Sequence, residues 1–119
     1  VAQPVDERRR VYRAYRDSSE VARVLVDDDV GINPDYNNVP DVGASGLEIV
    51  FLEVHEAQRG SGVGRALAET LRWRHTGRRL VAYAKKDADG FWATLGWIRH
   101  VHADPANSDW LTLFISPAL

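Results

Sequence analysis

The sequence predicts an α+β domain whose mixed sheet holds one pair of parallel strands joined through a helix. Two observations carry that expectation. Residues 47–79 run from an apolar stretch (Leu47, Ile49, Val50, Phe51, Leu52, Val54) through a glycine-rich turn into an amphipathic segment that stops near Gly77, and residues 79–84 return to β-forming side chains. A strand, a helix and a second strand in that order lie side by side and parallel. Around this centre stand short runs of β-branched and aromatic residues at 11–16, 21–26, 97–102 and 110–115, separated by turn formers.

Taken in order, residues 1–10 contain Pro4 and a charged cluster and are expected on the surface. Residues 11–16 and 21–26 flank the turn Asp17-Ser18-Ser19-Glu20 and form a hairpin. Residues 27–43 are rich in Asp, Asn, Gly and Pro and form a long loop. As a calcium loop it lacks the required spacing and terminal glutamate; as a carboxylate surface it would attract a cationic amine, and as a solvated loop it would only add charge. Residues 47–54 form a strand packed on both faces. In the helix, Val63, Leu67, Thr70 or Leu71, and Arg74 recur at helical spacing, and Gly77 supplies the stop. A second buried strand at 79–84 leads to a short helix within 85–95 that carries Phe91 and Trp92. Strands at 97–102 and 110–115 enclose a turn at 104–108. Trp73, Trp97 and Trp110 are expected to face packing partners.

At 119 residues the chain is expected to be one domain, 1–119, with enough length for its own core. The absence of cysteine excludes disulfides, thiolate metal sites and a cysteine nucleophile. With no apolar run of membrane-spanning length and no visible signal peptide, the expected location is cytoplasmic. The net charge of −2 conceals a separation: residues 27–56 hold eight acids and no Lys or Arg, whereas residues 58–79 hold six Arg and one Glu. The basic block coincides with the glycine turn.

Gln58-Arg59-Gly60-Ser61-Gly62-Val63-Gly64-Arg65 follows a strand and opens a helix. The first helical turn has main-chain N–H groups without intrahelical acceptors, which together with the helix dipole attract an anion. Two common phosphate loops fail here. A P-loop needs Lys and then Ser or Thr after its last glycine, where this chain has Arg65-Ala66, and a dinucleotide fingerprint needs glycine where Arg65 stands. Arg59 and Arg65 lie in the loop and are the cations expected to meet phosphate. Arg72, Arg74, Arg78 and Arg79 are read as ordinary surface charges.

Arg59-Gly60-Ser61-Gly62-Val63-Gly64, preceded by Val54, resembles motif A of the GNAT superfamily of acyl-CoA-dependent N-acetyltransferases, and Phe91-Trp92-Ala93-Thr94-Leu95-Gly96-Trp97 resembles its motif B. The resemblance covers residues 47–98. It implies a twisted, mostly antiparallel sheet with the parallel pair at its centre, and an N-terminal strand and helices that are reduced or absent. It also implies acetyl-CoA as co-substrate, with its pyrophosphate on the amides of Gly60, Ser61, Gly62, Val63, Gly64 and Arg65. The strands of the parallel pair would splay, and the pantetheine arm would lie between them against Leu52, Glu53 and Val54. No metal, nucleic acid or membrane is expected; the amine acceptor is left unnamed, and a homodimer is open.

An amine must lose a proton before or during attack on a thioester. Glu48 is the first candidate base, because Glu-Ile-Val-Phe here resembles the histone-acetyltransferase branch of the family. Glu53 is the second, nearer the thioester but on the opposite strand face by alternation, and His55 is the third. The N–H of Val54 would stabilise the carbonyl oxygen during attack. Many family members protonate the leaving thiolate with a tyrosine where this chain has Trp92, whose indole cannot serve; Tyr83, water or no dedicated acid at all takes that place. Lys85 stands where relatives often carry asparagine. Three functions follow: an N-acetyltransferase for a primary amine of a small molecule or protein, a non-catalytic acyl-CoA-binding module, or an interaction domain on the same scaffold.

Overall fold

The computed structural model describes residues 3–5, 8–42, 45–85, 88–104 and 111–117. These form seven strands, β1 (Gln3–Pro4), β2 (Arg9–Arg16), β3 (Ser19–Asp27), β4 (Gly46–Val54), β5 (Arg79–Ala84), β6 (Ile98–His100) and β7 (Thr112–Ile115), with helices α1 (Val63–Arg74) and α2 (Asp89–Thr94). They make one sheet in the order β1-β2-β3-β4-β5-β7-β6, antiparallel except for the central pair β4–β5. The β2–β3 hairpin turns on Asp17 and Ser18, both with positive φ (52° and 68°), the conformation that suits the twist of a two-residue hairpin.

One face of the sheet carries both helices. Leu67, Ala68 and Leu71 of α1 pack on Val24, Val26, Leu47 and Ile49, and Trp92, Leu95 and Trp97 extend the same core past α2. The other face is covered at its β5–β7 end by the long loop, whose Tyr36 and Val42 pack on Val81, Leu113 and Ile115. That loop is more than solvated charge. Asp28 accepts from Arg10 at 2.9 Å and Arg78 at 2.8 Å, so acids at its start neutralise cations from two separate parts of the chain, Asp27 at the end of β3 pairing likewise with Arg9 at 2.8 Å.

Several expectations need adjustment. The segment expected on the surface at residues 1–10 contributes β1, and Arg9 and Arg10 begin β2. The helix expected within 85–95 is confined to six residues, and the strand at 97–102 to three plus an isolated bridge between His102 and Tyr36. Most of the turn at 104–108, and Trp110, lie outside the described residues. Trp73 is 69% exposed, because it sits two positions beyond Leu71 and so projects away from the buried stripe of α1.

Candidate active site

The site is set by where β4 and β5 part. They pair from Gly46↔Arg79 to Ile49↔Ala82 and no further. Beyond that point β5 gives its other edge to β7 (Tyr83↔Leu113, Ala84↔Thr112), while β4 stays with β3 as far as Ala22↔Val54. Each strand is held on its outer side, and a wedge opens between them.

Main-chain direction in the wedge follows from one hydrogen bond. His55 N–H donates to Val21 C=O on the β3 side at 2.9 Å. A trans peptide points its C=O and N–H oppositely, so the Val54 carbonyl faces the wedge, where Arg59 Nε reaches it at 3.4 Å. In an extended residue N–H and C=O share a side, so the Val54 N–H faces the wedge too, and by alternation so do the polar groups of Leu52.

At the wedge mouth a 3-10 turn (Glu56–Gln58) leads into Arg59, Gly60, Ser61 and Gly62. Gly60 and Gly62 have φ of 80° and 86°, conformations that side chains disfavour, and a Cβ on either would stand in open space. Ser61 folds its hydroxyl back onto the Gln58 carbonyl. Helix α1 makes its first main-chain bond from Ala66 N–H to Gly62 C=O at 3.0 Å, so the amides of Val63, Gly64 and Arg65 precede any intrahelical partner. They border a cleft of about 280 Å³ between the glycine turn, Val54 and Phe91. Arg65 donates to the Thr94 carbonyl at 3.3 Å and Arg16 to the Gln58 side chain at 2.9 Å, so two further cations stand near the turn. Gly64 has a second, structural reason: a Cβ there would lie 3.2 Å from both Val54 and Phe91.

Glu48 and Glu53 share a face of the sheet, contrary to the alternation expected from sequence. Leu25 pairs with Phe51 but Val26 with Ile49, so Val50 is an extra residue in β4. One bulged residue restores the parity of positions on either side of it. Glu48, Phe51 and Glu53 therefore lie opposite Asp27, Leu25 and Arg23 on the face away from the helices. Glu53 is exposed and bound to Arg23 at 2.9 Å. Glu48 is half-buried, and burial, followed by the nearby Asp27 carboxylate, raises its pKa above the ordinary glutamate value; Arg9 opposes this and Asp29 adds to it. His55 is exposed at the end of β4.

Tyr83 faces the same side as Glu48, since Glu48 pairs with Val81 two residues before it. Its hydroxyl accepts from Asn33 N–H at 3.0 Å and donates to the Gly31 carbonyl at 3.3 Å. Burial raises its pKa despite the lowering effect of the Asn33 bond. Trp92 is buried, packed edge-on to Phe91 and tilted against Trp97. Arg78 and Arg79 are spent on Asp28, Gly46 and Ser116, and Arg72 on Pro117. Among the described residues no cluster of His, Asp and Glu is arranged to hold a metal, and no helix is long and apolar enough to cross a membrane. Sequence reasoning missed Asp27 beside Glu48 and Thr94 beneath Arg65, both placed by long-range pairing that leaves no local signal.

An α+β sheet that unzips at its central parallel pair, with a glycine turn and helix N-terminus at the opening, defines an acetyltransferase-type fold. Solved structures agree. An N-acetyltransferase of Bacillus subtilis, YlbP, in complex with coenzyme A, superposes with a TM-score of 0.66 at 25% identity over 90% of this chain and 67% of that one. An acetyltransferase of Thermus thermophilus gives 0.65 at 22% identity, covering 95% and 66%. A protein of Desulfovibrio desulfuricans assigned to the GNAT acetyltransferase family gives 0.67 at 14% identity, covering 91% and 67%. The chain thus spans about two thirds of the length of each. No protein-family model matches the sequence, and no curated protein does. The chain has the fold of the GNAT acetyltransferases.

Proposed function

We propose that the chain is an N-acetyltransferase that moves an acetyl group from acetyl-CoA to a primary amine of a small molecule or protein. The observation that carries this reading is the wedge between β4 and β5 with the glycine turn at its mouth. The diphosphate would rest on the amides from Gly60 to Arg65, with Arg59 and Arg65 beside it, and the acyl arm would run along Leu52 and Val54. The coenzyme-A complex of the Bacillus subtilis relative supports this assignment.

Glu48 would take a proton from the ammonium form of the acceptor, directly or through water, so that the neutral nitrogen adds to the thioester carbonyl. The Val54 N–H would donate to the carbonyl oxygen as it gains charge. The adduct nitrogen then gives its surplus proton to water, collapse breaks the C–S bond, and the departing thiolate takes a proton from water or from the Tyr83 hydroxyl, which regains one from solvent. Glu53, bound to Arg23 and exposed, is the weaker base candidate.

A second reading, acyl-CoA binding without transfer, is favoured by the burial of Trp92 where related enzymes place a hydroxyl. Thermal unfolding with acetyl-CoA, followed by release of free CoA across a panel of primary amines, separates the readings. Stabilisation with CoA release supports the enzyme, and stabilisation with a flat trace supports binding alone. Absence of stabilisation at saturating acetyl-CoA would overturn both.

A further inference from the structure

We propose that Asp27 is a positioning residue that sets the proton affinity of Glu48 from across the strand pair. The inference rests on the role of Glu48 proposed above. Asp27 closes β3 directly opposite Glu48 in the antiparallel register, a placement that brings side-chain bases to about 5 Å of each other on one face. The bulge at Val50 lies between this pair and the rest of β4, so the pairing of Glu48 with Asp27 is independent of how Phe51 and Glu53 are aimed.

The two carboxylates differ in kind. Asp27 is 4% exposed and held by the Arg9 guanidinium at 2.8 Å and the Asp29 N–H at 2.9 Å, with Arg8 at 3.5 Å. Burial alone would push its pKa up, but the Asp29 amide and the two arginines outweigh burial and hold it below the usual aspartate value. It therefore stays charged where Glu48 titrates. The groups facing Glu48 are Asp27 on β3, Asp29 in the following loop, Arg9 on β2 and Tyr83 on β5. Two of these are anions that disfavour a charged Glu48, while the principal cation is tied to Asp27. A fixed negative charge beside a half-buried glutamate strengthens it as a proton acceptor, moving it toward the range in which a general base is most useful.

The experiment follows the carboxyl carbons of Glu48 and Asp27 by NMR in the full chain through a pH titration, without ligand. In the Asp27→Asn variant the Glu48 midpoint moves to lower pH. In Glu48→Gln the Asp27 midpoint stays in place, because Glu48 is already protonated and uncharged where Asp27 titrates; Asp27→Ser, which leaves room for water to solvate Arg9, guards against a misfolded Asp27→Asn. A Glu48 midpoint unmoved in whichever of Asp27→Asn and Asp27→Ser keeps the parent's amide spectrum overturns the proposal. CoA release from acetyl-CoA with a fixed amine supplies the separate test of the base: the acid limb of the rate profile moves to lower pH in Asp27→Asn. A lowered Glu48 midpoint with an unmoved acid limb would confirm Asp27 as the neighbour that sets Glu48 and remove Glu48 as the base.

Discussion

Gly62 and Gly77 provide an internal control for the phosphate turn. They stand at the two ends of α1 with nearly the same backbone, φ of 86° and 88°, and a Cβ at either would meet nothing within 4 Å. An alanine at each position therefore carries only the backbone penalty of a left-handed L-residue, about 1–2 kcal/mol, offset by roughly 0.4–1 kcal/mol from the stiffer unfolded chain. Both Gly62→Ala and Gly77→Ala should lose about 1 kcal/mol. For 119 residues the unfolding entropy is about 0.25 kcal/mol per kelvin, so each falls by ~4 °C in Tm. Acetyl-CoA at a hundred times its Kd adds about 2.7 kcal/mol, close to 11 °C on the same scale. Differential scanning fluorimetry with and without acetyl-CoA reads both quantities. The Gly77 variant should keep the full ligand shift, and the Gly62 variant should lose most of it, since its methyl stands over the amides. Equal ligand shifts in the two variants would refute the placement of the diphosphate.

Glu48→Gln should lower turnover by about 10²–10⁴-fold while leaving the acetyl-CoA thermal shift intact. The same variant should be more stable than the parent at neutral pH. A carboxyl whose folded pKa is raised opposes folding once it ionises, and this loss grows as pH rises from the unfolded value through the folded one. Asp28 has the opposite sign: the Arg78 hydrogen bond outweighs burial, and the charges of Arg10 and Arg78 add to it, holding the pKa down. Its contribution is present above the ordinary carboxylate range and fades as pH falls through the folded pKa, so urea titrations of Asp28→Asn should show a shallower loss of stability in acid than the parent. Leu71→Ala, at a fully buried position, should cost about 2–5 kcal/mol in chemical denaturation, and Trp73→Ala should stay within about 0.5 kcal/mol.

The centre of this fold announces itself locally. Residues 46–84 carry their own punctuation, apolar run, spaced glycines, helical stripe and second apolar run, and the structure follows it closely. What the chain conceals is set by partners far away in sequence. The bulge at Val50 contains neither glycine nor proline and exists only in relation to Leu25 and Val26, so the shared face of Glu48 and Glu53 could not be read from alternation. The Asp28 link to Arg10 and Arg78 joins positions 18 and 50 residues apart, and charge counting along the chain saw only segregation. Trp73 was recoverable, since a helical projection from Leu67 and Leu71 already points it to solvent. The opening of the wedge came from family resemblance alone, because nothing in the residues of β5 says that Tyr83 and Ala84 prefer β7.

That preference has a mechanical consequence. A gap in the middle of a sheet would ordinarily zip shut or recruit a foreign strand, as unpaired rims do. Here the rails on either side are anchored by their outer neighbours, and the slot tapers to the last rung at Ile49 and Ala82. Such a notch admits something as slender as a flexible amide-bearing arm and resists a full polypeptide, so the chain can keep hydrogen-bonding groups on offer at its heart without becoming sticky.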